Sequence, residues 1–283
     1  MPKVLSTAQV RQYENDGLVS PVRVLSRQDA HDLSQRMDAF RAATPEAAGV
    51  FDRNPHLLFT WLFDIVNRPV VLDAMEDVLG PDLLWVSSSF RIKEPGKEKH
   101  AGWHQDAYYV TYDPVWATCL VAITDCTVAN GCIQVIPGSQ RGGFLDHADL
   151  DDQRSVLSRG QRITAAIDKT KAVPLELEAG EAAIFSSLLI HGSEPNRSDT
   201  RRICYLTDIF PARARRKGLA ESAILLRGTD ADGNFNLVPP PTRDFGTEEF
   251  LAHQAAVKAR VDGSYQGARW VTPALMEKKS PAN

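Results

Sequence analysis

Cysteine is scarce in this chain and never closely paired. Its 283 residues hold four, Cys119, Cys126, Cys132 and Cys204, with no C-x-x-C spacing. That excludes a disulfide framework and argues against a zinc cluster. Cys119, Cys126 and Cys132 fall in apolar, strand-like runs, where a thiol behaves as a small hydrophobe, so buried free thiols are expected. An excess of positive charge is also missing, since 32 Lys and Arg stand against 36 Asp and Glu. The net charge of −4 gives no general attraction for nucleic acid or anionic lipid, and neither is expected as a partner. No apolar run approaches the roughly 18 residues of a membrane-spanning helix. The start, MPKVLSTAQV, lacks the charged opening and apolar stretch of a secretory leader, so a cytoplasmic location is the expectation. Internal repeats and low-complexity tracts are absent too.

What is present changes character along the chain. Ser6 with Gln9, and Ser26 with Asp29, form capping-box patterns ahead of helical periodicity, and Gly17 suits a left-handed helix stop. Pro69 opens and Gly80 closes a further helix. From Leu83 the segments LLWVSSSFRI, WATCLVAITD, CIQVIP, VPLELE, AAIFSSLLIH and RICYLTDIF are short, rich in Val, Ile, Thr and aromatics, and bounded by Gly, Pro and Asn. Asn130-Gly131 between two of them is a hairpin signal. Arg141 to Lys171 is polar and predicts a loop with a short helix, and a last helix is predicted over Thr247 to Val261. Many short strands without alternating helices predict a mainly β fold with flanking helices, an antiparallel sandwich or barrel. One domain is expected, with a helical flank over 1–82, a core over 83–212 and a C-terminal extension over 213–283.

One stretch, GWHQDAYYV, sets His104 and Asp106 two positions apart among Trp103, Tyr108 and Tyr109. On a strand, residues i and i+2 share a face, so the imidazole and carboxylate project together with Gln105 turned away. They form either a satisfied structural pair or two ligands of a two-histidine, one-carboxylate triad, which holds Fe(II) with coordination positions left open. His191, at the end of AAIFSSLLIH, is the candidate third ligand. A second His-x-Asp, His147 and Asp149, lies in a polar run that reads as solvated. His100, four residues before His104, has a helical zinc spacing, but Gly102 and Pro95-Gly96 oppose a helix there. His31, His56 and His253 read as surface or packing residues.

Arg202 follows His191 by eleven residues and leads into an apolar strand, where a guanidinium needs an anion. A dicarboxylate co-substrate is one candidate, bound bidentately with help from the Ser193 hydroxyl, and an ion pair with Asp199 or Glu194 is the other. Arg201 competes with Arg202, because alternation turns only one of them inward. Tyr109 and Trp116 are candidate walls of a substrate pocket. Arg213, Arg215, Arg216 and Lys217 form either a solvated face or an attractor for an acidic substrate.

These pieces, taken in order, resemble the phytanoyl-CoA dioxygenase family of Fe(II)/2-oxoglutarate-dependent oxygenases. The likeness covers most of residues 5–230 and includes QVRQYENDGLV, KEPGKEKHAGWHQD, NGCIQVIPGS and EAGEAAIFSSLLIHGSEPNRSDTRR. It implies a double-stranded β-helix (jelly-roll, cupin-like) core, Fe(II) on His104, Asp106 and His191, and 2-oxoglutarate anchored by Arg202 with Ser193. It also implies O2 as oxidant, ascorbate as a stimulant, and a small-molecule metabolite or natural-product intermediate hydroxylated with release of succinate and CO2. Halogenating relatives carry a small residue at the carboxylate position, so Asp106 implies hydroxylation or a related oxidation. Gln140 and Leu120 depart from common family residues and are expected to bear on substrate shape. The alternatives are a cupin-like metalloenzyme that does not use 2-oxoglutarate, and a non-catalytic jelly-roll binding protein.

Overall fold

The computed structural model describes residues 2–108, 112–215 and 221–264. Ser6 caps helix α1 (Thr7–Asp16) by accepting the Gln9 N–H while the Gln9 side chain bonds back to Ser6, and Gly17 stops it at φ 71°. Ser26 and Asp29 repeat the device on α2 (Arg27–Ala43). Between these helices the chain departs from a purely helical flank. Residues Leu18–Arg23 form strand β1, burying Leu18, Val19 and Val22. Strand β1 sits at a sheet edge, where Pro21 costs no ladder bond. Helices α3 (Thr60–Val66) and α4 (Pro69–Leu79) complete the flank.

Strands β2 (Leu83–Lys93), β3 (Ala101–His104), β4 (Ala117–Ala122) and β5 (Gln134–Val135) follow. Next come β6 (His147–Ala148), β7 (Arg162–Ile163), β8 (Val173–Pro174), β9 (Glu181–Ser186), β10 (His191–Ser193), β11 (Arg202–Pro211), β12 (Ser222–Arg227) and β13 (Asn236–Leu237). They make a seven-stranded sheet ordered β1-β9-β4-β11-β2-β12-β13 and a four-stranded sheet ordered β3-β10-β5-β8. A short β6–β7 pair stands beside them. The two main sheets form the double-stranded β-helix. Helix α5 (Thr247–Ser264) begins where the sequence predicts.

Strand alternation divides the core in two. Outward-facing Phe90, Ile203, Tyr205, Cys119 and Val121 pack under Leu33, Met37, Leu62, Ile65 and Met75 of the helices. Inward-facing Leu120, Ala122, Cys204, Phe185 and Leu189 fill one end of the barrel. All four cysteines are buried and free.

Two predicted strand features resolve differently. Asn130-Gly131 joins β4 to β5, which lie in different sheets, so it turns the chain from one sheet to the other rather than closing a hairpin. Gly131 is required there, because it has φ +74° and a Cβ would stand 2.4 Å from the Glu194 carbonyl. The run AAIFSSLLIH is not one strand. A turn with a Leu189 N–H to Ser186 carbonyl bond splits it, leaving β9 in the large sheet and carrying His191 across to the small one.

Candidate active site

The small sheet brings the sequence-distant histidines together. His191 on β10 is the direct antiparallel partner of His104 on β3. Their rings lie 4.1 Å apart between centroids, and both residues are buried. His104 Nδ1 lies 2.8 Å from the Gly102 carbonyl and His191 Nδ1 lies 2.9 Å from the Leu189 carbonyl. A carbonyl only accepts, so each Nδ1 carries the proton and each Nε2 offers a lone pair. Asp106 Oδ1 is 3.5 Å from one Nε2 and 3.7 Å from the other. The three donor atoms lie within 4.8 Å of one another, the one such cluster among the described residues.

Electrostatics keep these groups ready to ligate. Burial, followed by the neighbouring His104, lowers the His191 imidazole to about 4. Burial would raise the Asp106 carboxyl, but His191, His104 and Arg91 outweigh it and hold it at about 2. At neutral pH the set is therefore a neutral His191 beside a carboxylate, which suits a divalent ion.

The route of Asp106 to this position is not simple strand alternation. Strand β3 ends at His104, and residues Asp106–Tyr108 form a 3-10 turn that swings the carboxylate inward. Gln105, between His104 and Asp106, is fully buried rather than turned out to solvent. Its amide donates to the Gly143 and Leu188 carbonyls at 2.9 and 2.7 Å and accepts from the Leu145 N–H at 2.9 Å.

A second polar cluster lies beside the first. Arg202 begins β11 and pairs in register with Lys93 of β2, so both side chains share the concave face. Arg202 donates to the Gly131 carbonyl at 2.5 Å, and its Nε, also buried, has no partner among the described residues. Lys93 donates to the same carbonyl at 3.3 Å, to Ser193 Oγ at 2.8 Å, and to the Glu194 carbonyl. Neither cation has an ion pair among the described residues, so the suggested partnership of Arg202 with Asp199 or Glu194 does not form. Arg201 points outward instead and grips Asp38. Burial, and then the Arg202 charge, pull the Lys93 ammonium down to about 7. Nothing in the local sequence singles out Lys93. Only the β2–β11 register, which extends the inward row from Arg202, identifies it.

The same register orders the rest of the concave face. Below Lys93 and Arg202 come Arg91 opposite Cys204, Ser89 opposite Leu206, and Ser87 opposite Asp208. Arg91, Ser89, Leu206 and Asp208 are only half-buried, although they lie on central strands, which marks an open cavity. Asp208 accepts from Thr118 Oγ1 at 2.8 Å and from Ser87, and stands 3.9 Å from Arg260. Burial and then nearby Asp106 push its carboxyl up.

Trp116 is buried against Phe210, 4.7 Å between ring centroids, in a cluster with Ala107, and its indole N–H has no partner among the described residues. Tyr109, Arg216 and Lys217 lie outside the described residues. Arg215 pairs with Asp232, and Arg213 bonds the Leu79 carbonyl. His100 pairs with Asp152, His56 stacks on Trp85, and His253 bonds the Arg53 carbonyl, as befits packing roles. Gln140 turns toward the end of α1, bonding the Asn15 carbonyl at 3.1 Å. His147 is no solvated residue either. It is half-buried, with its ring 4.6 Å from Tyr108.

Comparison with known proteins agrees with this geometry. Among solved structures, a non-heme monooxygenase named ThoJ in its apo form superposes with TM-score 0.82 at 30% identity, covering 92% of this chain and 99% of that one. Its nickel complex gives 0.76 at 27% identity, covering 90% and 99%. Among curated proteins, the dioxygenase FUM3 of Gibberella moniliformis is 26% identical over 71% of this chain and 64% of its own. A probable alpha-ketoglutarate-dependent hypophosphite dioxygenase of Stutzerimonas stutzeri is 28% identical over 53% and 52%. The matches therefore span about half to just under two-thirds of these curated relatives' lengths. The model of the family described as phytanoyl-CoA dioxygenase (PhyH) matches residues 2–204, and the chain belongs to that family.

Proposed function

We propose that this protein is an Fe(II)- and 2-oxoglutarate-dependent dioxygenase that hydroxylates, or otherwise oxidises, an unactivated C–H bond of a polar small molecule. The observation that carries the reading is the buried Lys93–Arg202 pair, which has no carboxylate partner among the described residues, set beside three converging metal-donor atoms. Unpaired buried charge is costly, so such a pair is maintained for an anion that arrives.

The residues fit both groups. His104 Nε2, His191 Nε2 and Asp106 would hold the iron, and three ligands leave positions open for chemistry. Ser193 lies two residues beyond His191 on β10, about 7 Å along a strand, a spacing that suits a five-carbon dicarboxylate. Arg202, Lys93 and the Ser193 hydroxyl would hold its far carboxylate by charge-assisted hydrogen bonds. When bound, iron and 2-oxoglutarate supply O2 activation and C–H oxidation, with release of succinate and CO2. The chain supplies position and exclusion of water: Leu120, Phe185 and Leu189 are buried in one apolar cluster, with the Phe185 ring 5.2 Å from that of His191. A cupin-like enzyme without 2-oxoglutarate has no use for the cation pair.

Arg91 and Asp208 bring both signs of charge to the open cavity. They favour a metabolite with charged groups over a long hydrocarbon chain, so the family's acyl-thioester chemistry is not carried over. The test is succinate release from purified protein with Fe(II), ascorbate and 2-oxoglutarate, against matched sets of charged and neutral candidates, with mass spectrometry for a gain of one oxygen. A 2-oxoglutarate turnover that no candidate stimulates, and that Arg202→Met leaves unchanged, would defeat the reading.

A further inference from the structure

The second His-x-Asp of the sequence, His147 and Asp149, has no place in the ligand set, yet it lies against it. We propose that His147 is a positioning residue for the metal centre: its ring holds the backbone between the two ligands His104 and Asp106. This rests on the assignment of those residues, with His191, as ligands.

The need arises from the chain path. Asp106 reaches the site by leaving β3 after His104, which takes the intervening Gln105 N–H off the strand ladder in a fully buried place. A buried N–H requires an acceptor. It donates to His147 Nε2 at 3.0 Å. The acceptor is itself oriented, because His147 Nδ1 lies 2.7 Å from the Leu145 carbonyl, which fixes the proton on Nδ1 and leaves Nε2 the lone pair. With Nε2 committed to Gln105, His147 is not available as a metal ligand.

The ring is braced in turn. Tyr108 and Phe144 stack near it at 4.6 and 5.3 Å between centroids. Asp149 accepts from the Tyr108 hydroxyl at 3.1 Å and pairs with Arg159, whose guanidinium lies 4.6 Å over the Tyr108 ring. The carrier of His147, the β6–β7 pair, is pressed against β3, since a Cβ on Gly102 would stand 3.4 Å from Arg162 Cβ. His147 and the Gln105 side chain thus fix one peptide from two directions, and with it the angle between the two ligands.

Groups that orient ligands typically govern metal affinity about 10–100-fold. The experiment is anaerobic titration with Co(II) alone, followed by its ligand-field absorption. The proteins compared are wild type, His104→Ala, His147→Phe and His147→Gln. Phe keeps the stacking on Tyr108 and Phe144 but removes the acceptor, whereas the Gln oxygen can replace it. Expected are a Co(II) affinity loss of about 10–100-fold in His147→Phe, with a thermal midpoint lowered by a few degrees because the Gln105 N–H loses its acceptor, and recovery of most of both in His147→Gln. Affinity in His147→Phe within twofold of wild type overturns the proposal, as does a Gln variant no better than Phe. Wild type that binds Co(II) no better than His104→Ala would instead overturn the ligand assignment, and the clamp with it. Should His147→Phe fail to fold, the Gln variant carries the test through its Co(II) spectrum, whose identity with wild type is the required result.

Discussion

Replacing Arg202 with Met should make the ligand-free protein more stable while removing its response to 2-oxoglutarate. The two buried cations both bond the Gly131 carbonyl, Arg202 at 2.5 Å and Lys93 at 3.3 Å. They therefore stand no more than about 6 Å apart, where two unit charges repel by about 3 kcal/mol at an effective dielectric of 20. Below pH 7 Lys93 is charged, and this repulsion opposes folding. Loss of the Arg202 hydrogen bond offsets about 1 kcal/mol of the relief. A net gain of about 1–2 kcal/mol raises the thermal midpoint by about 2–8 °C for a chain of this size.

The ligand response runs the other way. At one hundred times its Kd, 2-oxoglutarate stabilises wild type by about 2.7 kcal/mol, or about 5–10 °C. Truncating one side of a buried charge contact costs about 2–5 kcal/mol, a loss of about 30- to 4000-fold in affinity, so at the same concentration the variant's stabilisation falls to about 0.9 kcal/mol or less, a shift of about 3 °C at most. The assay is thermal unfolding at pH 6, anaerobic with Fe(II), with and without 2-oxoglutarate. A variant whose ligand-free midpoint falls by several degrees would show Arg202 to be a structural group. One that keeps the wild-type ligand shift would remove Arg202 from the carboxylate site.

Lys93 should make 2-oxoglutarate binding pH-dependent. Its free-state value is about 7, and a bound carboxylate raises it, so affinity is full below pH 7 and declines as pH rises toward the bound-state value; Lys93→Met should flatten that profile, and isothermal titration from pH 6 to 9 checks it. Asp106→Ala should abolish hydroxylation and leave Co(II) bound at least about 100-fold more weakly, read by metal titration. Asp208→Asn and Arg91→Gln should each raise KM for a charged substrate by about 10-fold or more while leaving uncoupled 2-oxoglutarate turnover within twofold of wild type, as steady-state succinate assays would show. Gly131→Ala should lower the thermal midpoint, because it forces a Cβ into a left-handed residue and to 2.4 Å from the Glu194 carbonyl, at about 2 kcal/mol or more. An unchanged midpoint would show that the turn can shift.

The sequence by itself determined the identities that chemistry cannot exchange. A nitrogen and an oxygen donor two positions apart, a distant histidine, and an arginine entering a buried strand were legible because each residue type is costly in an apolar setting without a partner. The caps of α1 and α2 and the Gly17 stop of α1 were legible because each is set within four residues. Tertiary structure alone decided which groups meet. Lys93 faces Arg202 only through the pairing of β2 with β11, and His147 meets Gln105 only because the β6–β7 pair packs on β3. It also decided that Leu18–Arg23 closes a sheet edge and that AAIFSSLLIH breaks to carry His191 into the other sheet. Such contacts join residues about forty to more than one hundred positions apart. No local period encodes them, because they are fixed by which hydrogen-bonding edges remain free once the other strands have paired.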